Sequence, residues 1–467
     1  MTEYRLLING EMVEGDHTLD VINPATEKVF TTVARASADQ ANQAVAAAKA
    51  AFPAWAAKSM KERQQSLLDL AAAITEHREE LGQLLTQEQG KPLPEALGEM
   101  DWCIGYLSHY ATLSIESKTI QDDDEFRVEM HRKPLGVVAG IVPWNFPVLM
   151  ALWKLGPAVL TGNTIVVKTA PTTPVATLKL AQLCNDIFPA GVVNFITDKN
   201  DLGPLLTSHP DIAKVSFTGS AATGKKVMSA SADTLKRITL ELGGNDAAIV
   251  LDDVDVGKTA EQIYGAAFIN CGQVCLAVKR AYVHESIYDE MCTALADLAN
   301  NAVVDDGMKQ GTQMGPIQNR MQYDKVSDLL ASAREDGTII AGGEVMDKAG
   351  YFIAPTIVRD ISDGSRLVDE EQFGPVLPVI KYVDIDEVVD RANDTDYGLG
   401  GSVWSSDTDR AVEVAGRVEA GSVWVNQHLN IGPHIPMAGA KGSGIGVEQS
   451  NEGLEEFTQI QVINIAK

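Results

Sequence analysis

The sequence has few cysteines, and this shortage excludes several classes of protein. Five cysteines in 467 residues form an odd, sparse set, which argues against a disulfide framework and is typical of a reducing compartment. We therefore expect a cytoplasmic protein. Cys271 and Cys275 are separated by three residues, not by the two of most zinc knuckles, and no matching pair follows. We predict no metal site.

Long apolar runs and positive charge are also scarce. No stretch approaches the roughly 20 apolar residues that a membrane helix needs, and the amino terminus lacks the basic-then-apolar pattern of a secretory signal. The 38 basic residues are outnumbered by 64 acidic ones, which gives a formal net charge of −26. Such an excess repels nucleic acid and anionic membrane surfaces. We expect neither as a partner.

What the sequence does contain is a long alternation of strand and helix patterns. A chain of 467 residues exceeds one ordinary core, so two or more domains are expected. Residues 38–90 show apolar side chains at helical spacing. Short buried strands then alternate with helices, which indicates an α/β fold with doubly wound parallel sheets in two domains. The predicted strands are 136–142, 164–167, 192–196, 214–217, 247–251, 281–283, 376–380 and 422–425.

Two further segments have strand patterns outside that alternation. The acidic run 121–125 precedes alternating residues 126–130, which is typical of a solvated turn followed by a strand or hairpin. The tail, residues 457–465, also alternates but has no partner next to it in the sequence. We predict that it joins a sheet elsewhere, in this chain or in another subunit.

Three short segments carry side chains suited to covalent catalysis. Cys275 follows Gly272-Gln273-Val274, and small neighbours let a substrate approach the thiol closely. Glu241 is a carboxylate that can serve as a base, and Asn145, within 143–147, has an amide that can stabilise a developing oxyanion. Together the segments indicate oxidation of an aldehyde through a thioester.

With these segments identified, the chain resembles the NAD(P)-dependent aldehyde dehydrogenase superfamily over almost its whole length. Six strings occur in the order that the resemblance requires: 143–147, 217–220, 240–244, 272–275, 371–376 and 441–444. The resemblance implies a Rossmann-like nucleotide-binding domain (1–118 and 137–241), a catalytic domain (242–445) and a small β oligomerisation element (119–136 and 446–467). It also implies a homodimer or homotetramer.

The same resemblance assigns the catalytic roles. Cys275 would attack the aldehyde to give a thiohemiacetal, and hydride loss would leave a thioester. The Asn145 amide and the backbone N–H of Cys275 would hold the oxyanion. Glu241 would activate the water that hydrolyses the thioester, a task for which a base needs a raised pKa.

The resemblance further places an NAD or NADP cofactor. The segment 219–224 follows a strand and begins a helix, a context that suits phosphate, although Ala221 replaces the second glycine of the usual fingerprint. Lys168 would hold the adenosine ribose, but Pro171 stands where NAD-preferring relatives have a glutamate, so the cofactor preference stays open with a lean towards NAD. The implied cofactor-binding residues are Trp144, Lys168, Gly219, Ser220, Glu371 and Phe373.

The substrate pocket is predicted to be apolar. Phe146, Leu149 and Trp153 flank the proposed site, and Trp153 replaces the arginine with which relatives that oxidise succinic semialdehyde bind a carboxylate. A medium-chain aliphatic or aromatic aldehyde is therefore expected. Residues 436–439 depart from the common pattern of relatives at the pocket entrance.

Three alternatives remain open from the sequence. A CoA-acylating relative would transfer the acyl group to CoA, but such enzymes generally lack the base that Glu241 provides. A catalytically silent nucleotide-binding protein would have the same fold. A thiol hydrolase would pair the cysteine with a histidine, and none lies near Cys275 in the sequence.

Overall fold

The computed structural model describes residues 3–467, which form 22 strands and 15 α-helices. In chain order the strands are β1 (Leu6–Ile8), β2 (Glu11–Val13), β3 (His17–Asn23), β4 (Lys28–Arg35), β5 (Lys118–Asp122), β6 (Phe126–Pro134), β7 (Val137–Ile141), β8 (Thr164–Lys168), β9 (Val193–Ile196), β10 (Ile212–Thr218), β11 (Arg237–Glu241), β12 (Asp246–Val250), β13 (Val278–His284), β14 (Thr338–Ala341), β15 (Thr356–Arg359), β16 (Val376–Tyr382), β17 (Tyr397–Gly398), β18 (Gly400–Trp404), β19 (Ser422–Val425), β20 (Ala440–Lys441), β21 (Gly444–Ile445) and β22 (Thr458–Ala466). The helices are α1 (Ala38–Ala56), α2 (Met60–Glu76), α3 (Arg78–Gln89), α4 (Leu93–Tyr110), α5 (Pro147–Leu160), α6 (Val175–Asn185), α7 (Gly203–Ser208), α8 (Ala221–Ala232), α9 (Val256–Phe268), α10 (Tyr288–Asn300), α11 (Arg320–Asp336), α12 (Arg366–Asp369), α13 (Ile385–Asn393), α14 (Thr408–Ala415) and α15 (Ser450–Glu455).

The first large sheet has the strand order β2-β1-β9-β8-β7-β10-β11-β21. Its five central strands pair in parallel, and β7 lies between β8 and β10. Strands β7, β8 and β9 are buried at every residue, as expected for parallel strands covered by helices on both faces. The prediction of a doubly wound parallel sheet is confirmed here.

The second large sheet has the order β14-β15-β16-β13-β12-β18-β19. All its neighbouring strands are parallel except the edge pair β14 and β15. The predicted strands of the carboxyl-terminal half fall within β12, β13, β16 and β19 to within a residue or so. Each of the two large sheets therefore has its own hydrophobic core.

A third, antiparallel sheet contains β5, β6 and β22. The predicted hairpin forms between β5 and β6, with its turn at 123–125. The tail strand β22 pairs along its whole length with β6 of the same chain, from Thr458 opposite Pro134 to Ala466 opposite Phe126. Eight of the nine residues of β22 are exposed, so one edge and the faces of this sheet are uncovered.

Helices α1 and α2 show why the amino-terminal region folds as predicted. Ser37 and Ser59 cap the two helices, and a glutamine or glutamate three residues later completes a capping box in each case. The apolar side chains at helical spacing along α2 and α3 are fully buried. Among the described residues, no helix combines the length and the apolar character that crossing a bilayer requires.

The first sheet places chemically useful residues at one edge. Strands β8, β10 and β11 end at Lys168, Thr218 and Glu241, and the loop after β7 contains Asn145. Because the carboxyl ends of parallel strands meet at the same edge of a sheet, these side chains open into one crevice.

Candidate active site

A cavity of about 1350 Å³ lies at this edge of the first sheet and extends to the loop that carries Cys275. Ordinary ligand pockets measure about 300 to 1,000 Å³, so this one has room for two ligands side by side. All twelve residues that the sequence singled out line it. They are Trp144, Asn145, Phe146, Leu149, Trp153, Lys168, Gly219, Ser220, Glu241, Cys275, Glu371 and Phe373.

Cys275 follows a strained turn that the sequence pattern does not reveal. Asn270, Cys271 and Gly272 have φ angles of 51°, 57° and 71°, three successive residues in the left-handed region. Such backbone is costly for residues other than glycine and concentrates at functional sites. At Gly272 a side chain would also collide with the carbonyl oxygen of Gly374, since a Cβ atom would lie 2.4 Å from it. The turn leaves Cys275 half-buried at the cavity wall.

The surroundings of Cys275 disfavour its thiolate, chiefly through burial. Burial raises the pKa of the thiol to about 12, and Lys279 opposes this shift. The Lys279 ammonium donates to the carbonyl oxygens of Val274 (2.9 Å) and Cys275 (2.6 Å). The carboxylates of Glu241 and Glu371 raise the same pKa further. The thiol is therefore protonated at neutral pH in the free protein.

Hydrogen bonds hold both the side chain and the backbone of Asn145 in place. Its side-chain amide donates one N–H to the carbonyl oxygen of Gln273 at 2.9 Å, which leaves its other N–H for a ligand. Its own carbonyl oxygen accepts from Lys91 Nζ (2.9 Å) and from the amide of Asn270 (3.0 Å). The amide is thus fixed beside the nucleophile loop before any substrate binds.

Lys91 forms a fully buried ion pair with Glu99 beneath this amide. The distance between Lys91 Nζ and Glu99 Oε2 is 2.7 Å, and both side chains are inaccessible to solvent. The other oxygen of Glu99 accepts the backbone N–H groups of Val148 and Leu149, each at 3.1 Å, at the start of α5. Sequence reasoning missed this pair, because a lysine and a glutamate eight residues apart are usually solvated.

Glu241 ends β11 and is 2 % exposed, yet neither of its carboxylate oxygens has a hydrogen-bond partner among the described residues. Burial raises its pKa well above the usual value, Glu448 adds to the shift, and Lys154 opposes it. Burying a carboxylate without hydrogen-bond partners costs free energy, and groups perturbed in this way concentrate at functional sites. This environment therefore favours the protonated form of Glu241 more than water does.

A second buried ion pair lies close to Glu241. Lys154 Nζ donates to Glu448 Oε1 at 2.8 Å and to the Thr218 hydroxyl at 2.7 Å, and Ser216 also donates to this carboxylate. Sequence reasoning missed Glu448. The string Gly446-Val447-Glu448 contains no signal that separates it from a surface loop.

The cavity wall near α8 suits an anion. Ser220 caps the helix, and its hydroxyl accepts the backbone N–H of Thr223. A Cβ atom at Gly219 would lie 2.6 Å from the ring of Phe217, so a side chain here would displace that ring. The first N–H groups of a helix and its dipole favour phosphate.

Three further residues shape the cavity between α8 and Cys275. Glu371 Oε1 accepts the N–H of Gly244 at 2.9 Å, and a side chain at Gly243 would collide with Glu371. The rings of Trp144 and Phe373 meet edge to face with centroids 5.4 Å apart. These contacts give the middle of the cavity an aromatic wall beside a fixed carboxylate.

The end of the cavity around α5 is apolar. Phe146, Leu149 and Trp153 line it together with Trp102 and Tyr106 of α4, which sequence reasoning missed. Trp153 packs on Tyr106 with ring centroids 5.3 Å apart, and Trp102 on Phe146 at 6.1 Å. Met437, in the segment that departs from the common pattern, also lines the cavity.

Among the described residues, the histidines do not line the cavity around Cys275. The side chain of His428 is fully buried, and its Nε2 donates to the carbonyl oxygen of Leu276 at 2.7 Å. Burial lowers its pKa to about 3. No histidine is among the described residues that line the cavity, so this structure gives no support to a cysteine–histidine pair.

The chain is similar to known proteins over almost its whole length. A family model described as the aldehyde dehydrogenase family matches residues 12–463. The phenylacetaldehyde dehydrogenase of Pseudomonas fluorescens is 39% identical, and the match covers 99% of this chain and 96% of the relative. An aldehyde dehydrogenase of Bacillus cereus, solved in complex with NAD+, is 38% identical with a TM-score of 0.97 over 99% of this chain and 96% of its own. An NADP-dependent enzyme of E. coli is 35% identical with a TM-score of 0.97 over 100% and 98%.

Proposed function

Because the chain belongs to the aldehyde dehydrogenase family of oxidoreductases, we propose that it oxidises an apolar aldehyde to the carboxylate with NAD(P)+ as hydride acceptor. The observation that supports this proposal is the meeting of Cys275, Asn145 and Glu241 at one cavity. These side chains come from three distant parts of the sequence. Their roles, and the substrate class, are inferences from chemistry.

The first half of the reaction uses Cys275 and Asn145. The thiol gives up its proton to solvent water, its sulfur bonds to the carbonyl carbon, and the carbonyl electrons move to the oxygen. The free N–H of the Asn145 amide and the N–H of Cys275 stabilise that oxyanion, each such donor being worth about 3 to 4 kcal/mol. The carbon then loses hydride, and a thioester remains on Cys275.

The second half uses Glu241. The carboxylate takes a proton from water, the resulting hydroxide adds to the thioester carbon, and the carbon–sulfur bond breaks to release the carboxylate product. The raised pKa of Glu241 makes it a stronger base, but only its ionised fraction acts. The adjacent Lys154–Glu448 pair keeps a fixed positive group near that charge.

The remaining cavity residues fit a nicotinamide dinucleotide. Ser220 and Gly219 shape the helix start for phosphates, Lys168 would hold the adenosine ribose, and Glu371 would hold the nicotinamide ribose. The paired rings of Trp144 and Phe373 would pack beside the nicotinamide. When bound, the nicotinamide supplies the hydride acceptor.

The apolar end of the cavity favours an aromatic or medium-chain aliphatic aldehyde. Its aromatic wall buries apolar surface, and Trp153 offers no charge to a second carboxylate. The relative that acts on phenylacetaldehyde supports the aromatic class. We further propose that the protein is a homodimer or homotetramer. We also propose a cytoplasmic location, because the reaction needs a reduced thiol.

The decisive experiment replaces Cys275 with alanine. We expect C275A to lose NAD(P)H formation with an aromatic aldehyde while it still binds the dinucleotide, measured by quenching of tryptophan fluorescence. C271A is the matched control: Cys271 is buried four residues away, does not line the cavity, and should leave turnover within a few-fold of the original. Undiminished turnover by C275A would reject the assignment.

A CoA-acylating enzyme is the second candidate, and Glu241 argues against it. The side chain of Glu241 lines the cavity with its carboxylate free of hydrogen-bond partners among the described residues, as a base for water requires. Product analysis with and without CoA distinguishes the two acceptors. Free carboxylate as the product in both cases would favour water.

A further inference from the structure

We propose that Asp198 gives this enzyme a preference for NAD+ over NADP+ by neutralising Lys168 at the adenosine-ribose end of the cavity. The inference rests on the proposed function, in which a dinucleotide occupies the cavity. The choice between NAD and NADP was left open because Pro171 stands where NAD-preferring relatives have a glutamate, three positions after Lys168. Asp198 takes the place of that missing carboxylate.

The geometry of the pair is well defined. Lys168 is the last residue of β8, lines the cavity and is 4 % exposed. Asp198 follows β9, the neighbouring parallel strand, and is completely buried. Lys168 Nζ lies 2.7 Å from Asp198 Oδ1. The pair therefore forms where two strand ends meet at the cavity wall.

Contacts on the other side of the aspartate fix its orientation. Asp198 Oδ2 accepts the backbone N–H of Leu202 at 2.9 Å, just before α7 begins. A carboxylate held by an ammonium on one oxygen and by an N–H on the other cannot rotate away without losing both bonds. The carboxylate is therefore fixed directly behind Lys168, which lines this end of the cavity.

This arrangement leaves Lys168 suited to a hydroxyl and not to a phosphate. Of the three ammonium N–H groups, one donates to Asp198 and one weakly to the carbonyl oxygen of Thr169 at 3.3 Å, so one remains for a ribose hydroxyl. The positive charge is already compensated. A 2′-phosphate would meet a neutral pair whose carboxylate repels it, and burial weakens the screening of that repulsion.

Neighbouring charges do not replace the lost attraction. Asp201 in the same turn pairs with Arg35 at 2.6 Å. Lys199 is exposed and is not among the residues that line the cavity. Lys226 of α8 does line it but is exposed, so water and salt screen its charge. Lys226 is thus the one competing cation to be tested.

The test measures equilibrium binding of each dinucleotide to the full-length protein, with no aldehyde present. Quenching of tryptophan fluorescence reports occupancy, because Trp144 lines the cavity. We expect the original protein to bind NAD+ at least about tenfold more tightly than NADP+. In D198N, which keeps an acceptor for Leu202, the Kd ratio should shift towards NADP+ by at least about tenfold.

Two further variants sharpen the result. D201N removes an equal charge from the same turn at an exposed position and should leave the Kd ratio within about twofold. K226M should likewise leave it unchanged; a K226M ratio shifted about tenfold further towards NAD+ would show that Lys226 attracts the 2′-phosphate in place of Lys168 and would overturn the proposal. Circular dichroism confirms that each variant is folded.

The comparison within the original protein does not depend on any variant. Equal Kd values for NAD+ and NADP+ would overturn the role of Asp198 even if aldehyde oxidation proceeds. So would an unchanged ratio in folded D198N. Conversely, tight and selective NAD+ binding without turnover of any aldehyde would reject the proposed function and leave the inference about Asp198 standing.

Discussion

The Cys275 thiol is half-buried, and burial disfavours its thiolate more than the ammonium of Lys279 favours it. Since its pKa is raised to about 12, the thiolate fraction should increase with pH well beyond the range of an ordinary cysteine. We predict that the rate of alkylation by iodoacetamide in the free protein rises about tenfold per pH unit from pH 7 to 10. Loss of activity measures the rate.

Glutathione provides the reference, since its thiol should approach a plateau near pH 9 to 10 while Cys275 does not. The C275A variant shows how much label goes to the other cysteines. A plateau of the Cys275 rate below pH 8 would mean that Lys279 outweighs burial, contrary to the electrostatics of this site.

Glu241 is expected to act after the hydride has left. We predict that E241Q forms about one NAD(P)H per active site in a rapid burst and then turns over on the order of 10² to 10⁴ times more slowly. Stopped-flow absorbance separates the two phases. Because the pKa of Glu241 is raised, the steady-state rate of the unsubstituted enzyme should increase with pH as the carboxyl ionises, and E241Q should lose that dependence. Loss of the burst as well would place Glu241 in the first half of the reaction.

At the scale of residues, the sequence was most informative where a side chain can act directly. Cys275, Glu241 and Asn145 belong to short recognisable strings, and all three line the cavity. Residues that act through others were missed. Lys91 and Glu448 look like ordinary surface charges in the sequence, and only the fold removes them from water and pairs them.

At the scale of elements, Lys91 in the connection between α3 and α4 supports the site through its buried ion pair with Glu99 of α4. Removing one partner of a buried pair leaves an uncompensated charge, so K91M should destabilise the protein by about 3 to 5 kcal/mol in urea-induced unfolding. It should also lower kcat, because Asn145 loses a donor to its carbonyl oxygen.

An exposed pair on the same helices is the control. Arg78 begins α3 and pairs with Asp101 of α4 at the surface, so R78A should cost no more than about 1 kcal/mol. The double variant K91M/E99Q should recover part of the stability that K91M loses. Equal destabilisation by K91M and R78A would show that Lys91 is not a buried support.

Strands were easier to predict than turns. Parallel strands buried on both faces give continuous apolar runs, and β7 to β9 stand out for this reason. The left-handed turn at 270–272 has no such signature, since only its last residue is glycine. The sequence also could not predict the partner of β22, because more than 300 residues separate β22 from β6.

At the scale of the whole molecule, the first sheet supplies Glu241 and Lys168, the loop before the second sheet's β13 supplies Cys275, and the cavity lies between them. Neither sheet alone contains the full set of reacting groups. A change in how the two sheets sit together would therefore alter the distance between nucleophile and base without touching either residue.

The three-stranded sheet of β5, β6 and β22 predicts self-association. Ile460 and Val462, alternate residues on one face of β22, are 55% and 48% exposed, and the outer edge of this strand has no partner strand among the described residues. Exposed apolar edge strands are sites of pairing with another chain. We predict that the protein is a dimer or tetramer by light scattering coupled to size exclusion, and that I460K/V462K lowers its molar mass. Q459K/Q461K adds the same charge to exposed polar positions of the same strand and should keep the larger assembly, because it removes no apolar contact. A monomeric original protein, or an I460K/V462K variant that keeps its full molar mass, would show that this face is not the interface.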